Sequence, residues 1–521
     1  MHTAAPARGR LRRSITVLAF EEWNLASKTR NELAYNLGID LGTSSVKAIL
    51  AAEDGSEIRA AMSPCAVEHP LPGHAEADPG LWWSAVVQAV SSLDTAGANI
   101  RGIGISVLYP ALVLFDKDMQ PLRPAVLYCD QRAAAESEEL LARYGEARAR
   151  ALTGSAFPAG TSAVTSLMWL GRHEPEVLER MVRVGLANTF LVHKLTGEFT
   201  VDFSNASISG LYDTGRNEWS AELCDIAGVP PVALPGVIAA DAEAGRLSAD
   251  AARQLGLPAG LPVAAGAGDT VCSALGIGVA DESELFVSCG STNCFAGLST
   301  RPDFDNGLLN TSHLDAHTWI NIGSTSASGA AIQWFINTHL EPGDYERFFD
   351  LCRASAPGAG GVVFLPYLSG ERTPLYDPRA KAVFFGMTLS TSLPDLARSV
   401  AEGICFADRH ILETFERNGR KIERVLAAGG GSRNKLMRRI RTDVTGREIA
   451  FCSFSDVAAL GAALLGGVAG GCYADWRQAA AAARNAGGFM LSKPDMTAHR
   501  AYDNAYRVFK QLYPQVKDLF A

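Results

Sequence analysis

A tight turn between two apolar stretches near the start of the chain combines the residue types of a magnesium-phosphate site. In NLGIDLGTSSVKAIL (residues 36–50), one apolar run ends at Asp40, and Gly42, Thr43 and Ser44 follow before the second run. Backbone N–H groups in such a turn can hold an anion, and the hydroxyls add donors. A carboxylate beside phosphate oxygens suits Mg²⁺. An ordinary β-hairpin would also need turn residues here. This stretch alone therefore does not distinguish a magnesium-phosphate site from a simple turn.

The same pattern returns in the second half of the chain. ELFVSCGSTNCFAGL (residues 284–298) is again a strand, a turn made of Gly290, Ser291 and Thr292, and a strand. Either turn alone is more commonly an ordinary connection. Together they predict a duplicated domain, in which each copy points a phosphate-sized loop into a common cleft.

A third glycine-rich turn lies in ERVLAAGGGSRNKLMRRI, between a strand and a helix that starts near Ser432 or Asn434. Its glycines, Gly429, Gly430 and Gly431, would let a flat base or a phosphate approach the backbone, and a helix N-terminus favours negative charge. The turn also misses the GxGxxG dinucleotide fingerprint only at its last position. An NAD-dependent oxidoreductase therefore remains an alternative, although it leaves the two hairpins unexplained.

Other residues could carry chemistry or structure. Asp269, after the strand in LPVAAGAGDT, could be a general base or the N-cap of the next helix, and the residues alone favour the cap. His313 and His317 have metal-like spacing, but we expect them to face solvent. Glu371 and Arg372 could form an ion pair that holds a turn, or could belong to an active site.

Composition excludes several classes of protein. The 521 residues are 47% hydrophobic and 20% charged, as in a globular protein of two or three domains. A net charge of −9 gives no broad basic surface for nucleic acid or an anionic membrane. The ten cysteines form no CxxC pair, which is typical of reduced thiols in a cytoplasmic protein. The longest run of small apolar residues, 457–471, is too short and too rich in glycine to span a bilayer.

Strands and helices alternate along the chain, which predicts an α/β fold. DPGLWWSAVVQAVSSL predicts a helix with Asp78 as N-cap and Pro79 at its first position. Residues 1–35 predict an N-terminal extension, because their apolar core is too short for a signal peptide. The turn-like GVADESE places the best domain boundary near residue 280.

Eight separated motifs, in this order, resemble the FGGY carbohydrate kinases from residue 36 to about 515. They are GIDLGTSSVKAIL, RPAVLYCDQRA, KLTGEFTVDFSNAS, GAGDTVCSALGIG, SCGSTN, FLPYLSGERTPLYDPRAKAVFFGMTL, AAGGGSRNKL and DVAALGAALLGG. The resemblance implies two actin-like (RNase H-like, hexokinase-type) domains, residues 36–280 and 281–521, around a central nucleotide and sugar cleft.

The resemblance also implies ATP and Mg²⁺ as cofactors, and it assigns roles by similarity. Asp40 would hold magnesium through water, and Asp269 would be the general base on a sugar hydroxyl. The residues that would border ATP and its phosphates are Gly42, Thr43, Ser44, Gly290, Ser291, Thr292, Gly430, Gly431 and Asn434.

The chain departs from the xylulokinase pattern near the expected sugar site. Tyr109-Pro110 stands for Met-His, Tyr128-Cys129-Asp130 for Trp-Asn-Asp, Asn188-Thr189 for Lys-Asp, and Ser166 for a Lys. Tyr109, Pro110 and Asp130 are still expected to contact the substrate, with Asp130 accepting a hydrogen bond from a substrate hydroxyl. Because the departures remove hydrogen-bond donors, we expect a poor D-xylulose kinase that prefers a related ketose or polyol of about four to six carbons.

The sequence thus predicts a cytoplasmic, ATP-dependent kinase of a small sugar or polyol. A homodimer is expected only from the family. Besides the oxidoreductase, a non-catalytic actin-like sugar sensor is the remaining alternative. Asp40 and Asp269 together argue against the sensor, because a sensor would not need both.

Overall fold

The structure is a computed structural model that describes residues 33–304, 306–486 and 488–520. The extension predicted for residues 1–35 lies almost wholly outside the described residues. No described helix is both long enough and apolar enough to cross a membrane.

The first half of the chain alternates strands with helices, as its pattern predicts. Its strands are β1 (Ala34–Leu41), β2 (Ser45–Ala52), β3 (Ile58–Pro64), β4 (Glu76–Ala77), β5 (Asn99–Val107), β6 (Ala111–Phe115), β7 (Ala125–Leu127), β8 (Arg183–Leu186), β9 (Thr200–Asp202), β10 (Tyr212–Asp213), β11 (Glu218–Trp219), β12 (Gly236–Ile238), β13 (Glu243–Arg246), β14 (Pro262–Ala264) and β15 (Ala267–Gly268). Its helices are α1 (Pro79–Ser91), α2 (Ala134–Tyr144), α3 (Glu146–Thr153), α4 (Ala163–His173), α5 (Pro175–Arg180), α6 (Ala187–Thr196), α7 (Phe203–Ile208), α8 (Ala221–Ala227), α9 (Ala249–Leu255) and α10 (Asp269–Gly276).

The second half begins a new sheet. Its strands are β16 (Glu284–Cys289), β17 (Asn293–Ser299), β18 (Leu309–Ser312), β19 (Trp319–Ser324), β20 (Val363–Leu365), β21 (Val383–Phe385), β22 (Arg424–Ala428), β23 (Ile449–Cys452) and β24 (Phe489–Ser492). Its helices are α11 (Gly329–His339), α12 (Tyr345–Ala354), α13 (Leu393–Arg417), α14 (Lys435–Thr445), α15 (Val457–Ala469), α16 (Trp476–Ala486) and α17 (Met496–Val516).

The two main sheets share one pairing scheme. In the first, β1 pairs antiparallel with β2, which pairs antiparallel with β3, while β1 also runs parallel to β5. In the second, β16 and β17 pair antiparallel, β17 pairs antiparallel with β19, and β16 runs parallel to β22. Each sheet then continues through a further parallel strand to an antiparallel edge strand. This repeated order agrees with the duplication expected from the two hairpins.

Local signals explain where the helices begin. The Asp78 side chain accepts a hydrogen bond from the Gly80 N–H and caps α1, with Pro79 at the first helical position, as predicted. Ser392 and Asp395 form a reciprocal capping box at the start of α13. Both helices turn apolar faces toward the core, so each cap fixes the end of an element that is held mainly by packing.

Helix α15 joins the two halves of the chain. It packs on β1, β5 and α10 of the first half, and glycines at the contact bring backbone against backbone. A Cβ atom added at Gly104 of β5 would overlap the Ala462 carbonyl oxygen, and one at Gly38 of β1 would overlap that of Ala459. We call this contact the glycine seam. No side chain larger than hydrogen fits there without moving the helix.

Candidate active site

The first hairpin presents an acid and a turn at one end of the first sheet. Asp40 is 6% exposed, and its carboxylate accepts a 2.7 Å hydrogen bond from the Ser106 hydroxyl on the neighbouring strand. Burial raises the pKa of Asp40, while the nearby Lys47 opposes that effect. The turn closes through a 3.0 Å bond from the Gly42 N–H to the Ser45 carbonyl, and the Ser44 side of the turn faces solvent.

The second hairpin has the same construction and is supported from below. The Gly290 N–H donates to the Thr292 carbonyl at 3.0 Å. The N–H of Ser328, in the loop that leads to α11, donates to the Ser291 carbonyl at 2.8 Å, and the Asn293 N–H donates to the Thr325 hydroxyl at 2.9 Å. The exposed turn of the second hairpin is therefore held in place by hydrogen bonds to the loop that leads to α11.

The glycine-rich turn stands beside the second hairpin. Gly429 has φ of 100°, and a Cβ atom added there would lie 2.6 Å from the Cys289 carbonyl oxygen, so the position requires glycine. Asn434 caps α14, because its side-chain oxygen accepts from the Leu436 and Met437 N–H groups at 2.9 and 3.2 Å. The helix start predicted at Ser432 or Asn434 is confirmed.

One cavity of about 930 Å³ connects these two features. Its lining includes five of the residues that the sequence singled out, namely Gly290, Ser291, Gly430, Gly431 and Asn434. Its apolar walls come from Ile332, Trp334, Phe349 and Met437. A cavity of this size, with polar turns at one end and apolar walls elsewhere, suits a nucleotide-sized ligand.

Asp269 is the first residue of α10, and Gly268 occupies the N-cap position, so Asp269 is not the N-cap that the residues alone favoured. The Thr270 hydroxyl donates to it at 3.1 Å. Burial and the negative charge of Asp40 raise the pKa of Asp269 to about 6. A half-buried carboxylate with such a pKa is ionised at neutral pH and is still basic enough to accept a proton from an alcohol.

Two residues that the sequence analysis did not assign hold the backbone in front of Asp269. The Gly268 N–H donates to the Ser204 hydroxyl at 3.0 Å, and the Ser204 hydroxyl in turn donates to the carboxylate of Asp202. Asp202 also caps α7 through the Ser204 and Asn205 N–H groups, and burial raises its pKa to about 6. The signal was present in VDFSNAS, where an acid followed by Ser and Asn is typical of a helix N-cap.

Tyr109 lies against the same segment. A Cβ atom added at Gly268 would approach its ring to 2.6 Å, and its buried hydroxyl has no hydrogen-bond partner among the described residues. Burial raises the pKa of Tyr109, and the charge of Asp269 adds to that effect. Pro110, which follows, is buried. The phenol thus forms a wall beside the candidate base.

The expected substrate contact of Asp130 is wrong. Asp130 is 1% exposed, and its oxygens accept from the Ala75 N–H at 2.6 Å, from the Arg132 N–H at 2.9 Å and from the Arg132 guanidinium at 2.8 Å. Arg132 also pairs with Glu76 at 2.6 Å. Because these internal partners occupy both oxygens, Asp130 braces its loop and presents no free oxygen to a sugar.

The expectation for His313 is also wrong. His313 is 1% exposed, its ring lies edge-on to Trp476 at 5.2 Å, and burial lowers its pKa to about 4. His317 faces solvent, as expected. The described residues contain no cluster of three or more His, Cys, Asp or Glu side chains that could hold a metal ion by themselves.

Comparisons with known proteins agree with this geometry. The model of the FGGY family of carbohydrate kinases, N-terminal domain, matches residues 35–276, and that of the C-terminal domain matches residues 285–470. A xylulose kinase from Escherichia coli (strain K12) is 30% identical over 493 residues, which cover 93% of this chain and 100% of that protein. The chain belongs to the FGGY family of carbohydrate kinases.

Solved structures of similar kinases share the fold over most of the chain. A xyloylose kinase from Brucella ovis superposes with a TM-score of 0.85 at 32% identity, covering 93% of this chain and 100% of that one. A xylulose kinase from Rhodospirillum rubrum gives 0.85 at 28% identity, with 93% and 99% covered. The predicted pair of actin-like domains and the ATP-dependent carbohydrate kinase activity are confirmed, and the oxidoreductase is not favoured.

Proposed function

We propose that this FGGY kinase transfers the γ-phosphoryl group of ATP to a hydroxyl of a small ketose or polyol related to xylulose, with Asp269 as the general base. The observation that carries the proposal is the position of Asp269. It is the first residue of α10, close enough to Asp40 for that charge to raise its pKa, and close enough to Cys294, two residues after the second turn, for its own charge to raise the pKa of that thiol.

The proposed division of labour follows from phosphoryl-transfer chemistry. The substrate oxygen forms a bond to the γ-phosphorus, the bond from that phosphorus to the bridging oxygen breaks, and the electron pair leaves with ADP. Asp269 accepts the proton of the attacking hydroxyl. Gly42, Thr43 and Ser44 border the phosphoryl group on one side, and Gly290, Ser291 and Thr292 border it on the other. Gly430, Gly431 and Asn434 border the adenosine.

The donor set fits a magnesium ion. Asp40 keeps one carboxylate oxygen free of the Ser106 bond, and the negative charge of Asp40 disfavours the ionised form of Asp269. Mg²⁺ is usually held by one or two carboxylates together with phosphate oxygens and water. When bound, it would offset charge on the phosphate oxygens. We propose Asp40 as its protein ligand, through water.

The substrate proposal rests on the relatives and on Tyr109. The similar proteins named above are xylulose kinases, which supports a ketose of this kind. Three of the other departures from the xylulokinase pattern are buried, because Ser166, Asn188 and Thr189 are each at most 2% exposed and the Asn188 amide donates to the Ala265 carbonyl, whereas Cys129 is exposed. We propose Tyr109 as the residue that sets specificity, because its ring lies against Gly268 and narrows the space beside the candidate base.

The test is kcat/KM for a panel of ketoses, aldoses and polyols in a coupled ADP-release assay, with wild type beside Tyr109→Met. We expect a preferred substrate of about four to six carbons other than D-xylulose, and a shift toward D-xylulose in the variant. Absence of sugar-dependent ADP release would refute the kinase proposal. If D-xylulose exceeds all others at about 10⁴ M⁻¹s⁻¹ or more, Tyr109 does not set specificity.

Two further expectations belong to this proposal. We expect the enzyme to act in the cytoplasm and to form a homodimer. Light scattering coupled to size-exclusion chromatography measures the second directly, and a monomeric mass at assay concentration would exclude it.

A further inference from the structure

We propose that Arg372 contacts the phosphoryl group during transfer, from the second half of the chain and across the cleft from Asp269. This inference rests on the kinase function proposed above and adds a residue that neither hairpin supplies. Three observations support it: a backbone held by hydrogen bonds, a guanidinium without a partner among the described residues, and a position beside the second hairpin.

The backbone around Arg372 is fixed by buried groups. Glu371 is 4% exposed, and one of its carboxylate oxygens accepts from the Arg372 N–H at 2.8 Å and from the Ser326 N–H at 2.7 Å. The next residue, Thr373, exchanges hydrogen bonds with Ser324, at 3.0 Å through its N–H and at 3.2 Å through its hydroxyl. Of the two alternatives for Glu371 and Arg372, the ion pair between their side chains does not form, because Glu371 binds backbone N–H groups.

The guanidinium of Arg372 is exposed and has no hydrogen bond, ion pair or ring contact with any described residue. Its neighbour in the same loop, Arg379, differs, because it lies 3.7 Å from Asp377. Lys47, near Asp40, is also engaged, at 2.9 Å from Asp456. A cation that is mounted on a fixed backbone and left without a partner is ready to bind an anion, and a guanidinium matches the oxygens of a phosphoryl group.

The mounting places Arg372 at the reacting end of the cleft. Ser324, which binds Thr373, is the sheet partner of Cys294, and Cys294 follows the turn of the second hairpin by two residues. Burial raises the pKa of the Cys294 thiol, the charge of Asp269 adds to that effect, and the charge of Arg372 opposes it, so both side chains are near this thiol. The space next to Cys294 is therefore where a phosphoryl group would meet both the base and the guanidinium.

The charge balance of the reaction suggests that Arg372 offsets negative charge on the phosphoryl oxygens. The substrate oxygen bonds to phosphorus, the bridging P–O bond breaks toward ADP, and the proton goes to Asp269, so the equatorial oxygens keep their negative charge throughout. Asp40 and Asp269 bring further negative charge to the same place. A guanidinium on the open side offsets this charge most strongly in the transition state.

The experiment compares Arg372→Ala and Arg372→Lys with Arg379→Ala as the matched control. We expect Arg372→Ala to lower kcat by at least about 10²-fold, the usual cost of one lost transition-state donor, with KM values nearly unchanged. Arg372→Lys should lose less, Arg379→Ala should match wild type, and guanidinium chloride in the assay should partly rescue Arg372→Ala.

A second readout needs no turnover. Isothermal titration measures the affinity for magnesium-ADP with and without aluminium fluoride, which mimics the phosphoryl group in transfer. Aluminium fluoride should tighten binding to wild type and Arg379→Ala but not to Arg372→Ala. Equal tightening in all three, or a kcat of Arg372→Ala within about threefold of wild type, overturns the inference. If wild type phosphorylates no sugar on the panel, the proposed function fails, and the aluminium fluoride titration alone decides the role of Arg372.

Discussion

Asp269→Asn should damage catalysis and stabilise the protein at the same time. Asn has nearly the same shape but cannot accept the proton of a hydroxyl, so we expect kcat to fall by about 10²- to 10⁴-fold. Nucleotide affinity should stay close to wild type, because Asp269 is assigned to the sugar side. The wild-type profile of kcat/KM against pH should lose activity below about pH 6, where Asp269 takes up a proton, and the variant should lose this limb.

The stability change follows from the same pKa. The pKa of Asp269 rises from 3.8 in the unfolded chain to about 6 in the folded one. At pH 7 both states are ionised, and the folded state bears the cost of the buried charge, which is at most about 3 kcal/mol and less where water reaches the carboxylate. Stability of wild type should therefore rise as pH falls from about 6 toward 4, and the uncharged Asn should raise Tm at pH 7.

Asp241→Asn is the matched control, because burial also raises the pKa of Asp241, and the charges that act on it, those of Asp315 and Asp475, belong to no candidate site residue. It should leave kcat unchanged. Differential scanning calorimetry and the coupled assay measure both effects on the same samples. A kcat of Asp269→Asn within about tenfold of wild type, with the acid limb retained, would refute the assignment of the base. A lower Tm would refute the electrostatic argument.

Three other predictions address the metal, the buried histidine and the glycine seam. Asp40→Ala should weaken magnesium-dependent ADP binding and turnover together; a magnesium titration that matches wild type would make Asp40 a turn residue only. His313, with its pKa lowered to about 4, should cost stability as pH falls below 6.5, by roughly 3 kcal/mol at pH 4, and His313→Gln should flatten that part of the curve of unfolding free energy against pH. Gly104→Ala should lower Tm sharply, since its Cβ would overlap the Ala462 carbonyl oxygen, whereas Gly236→Ala, with open space around it, should not; equal Tm values would show that the seam can adjust.

Local patterns predicted the turns of the site well. The two hairpins, the capped start of α14 at Asn434 and the N-cap Asp78 all depend on residues within a few positions of each other. Because their hydrogen bonds join residues that are close in sequence, short local patterns are enough to predict them. The order of the motifs then located these pieces in one fold.

Long-range partners were beyond the same reasoning. Asp130 was expected to meet a sugar, but its partner Arg132 is also held by Glu76, far earlier in the chain. His313 is buried because Trp476, from a later helix, covers its ring. Arg372 differs from Arg379 only in what surrounds each side chain in space. In each case tertiary packing determines the role of the side chain, and neither the periodicity nor the spacing of residues in the sequence indicates that role.

The glycine seam has a consequence for co-translational folding of the chain. The strands that carry Asp40 and Ser106 pack glycines of one face against α15, and α15 ends at residue 469. A nascent chain that has emerged as far as residue 280 therefore holds a sheet whose glycine strip is open to water and to other chains. We expect the first half to be completed only after most of the second half has left the ribosome, which makes the ribosome-bound intermediate a natural client for chaperones.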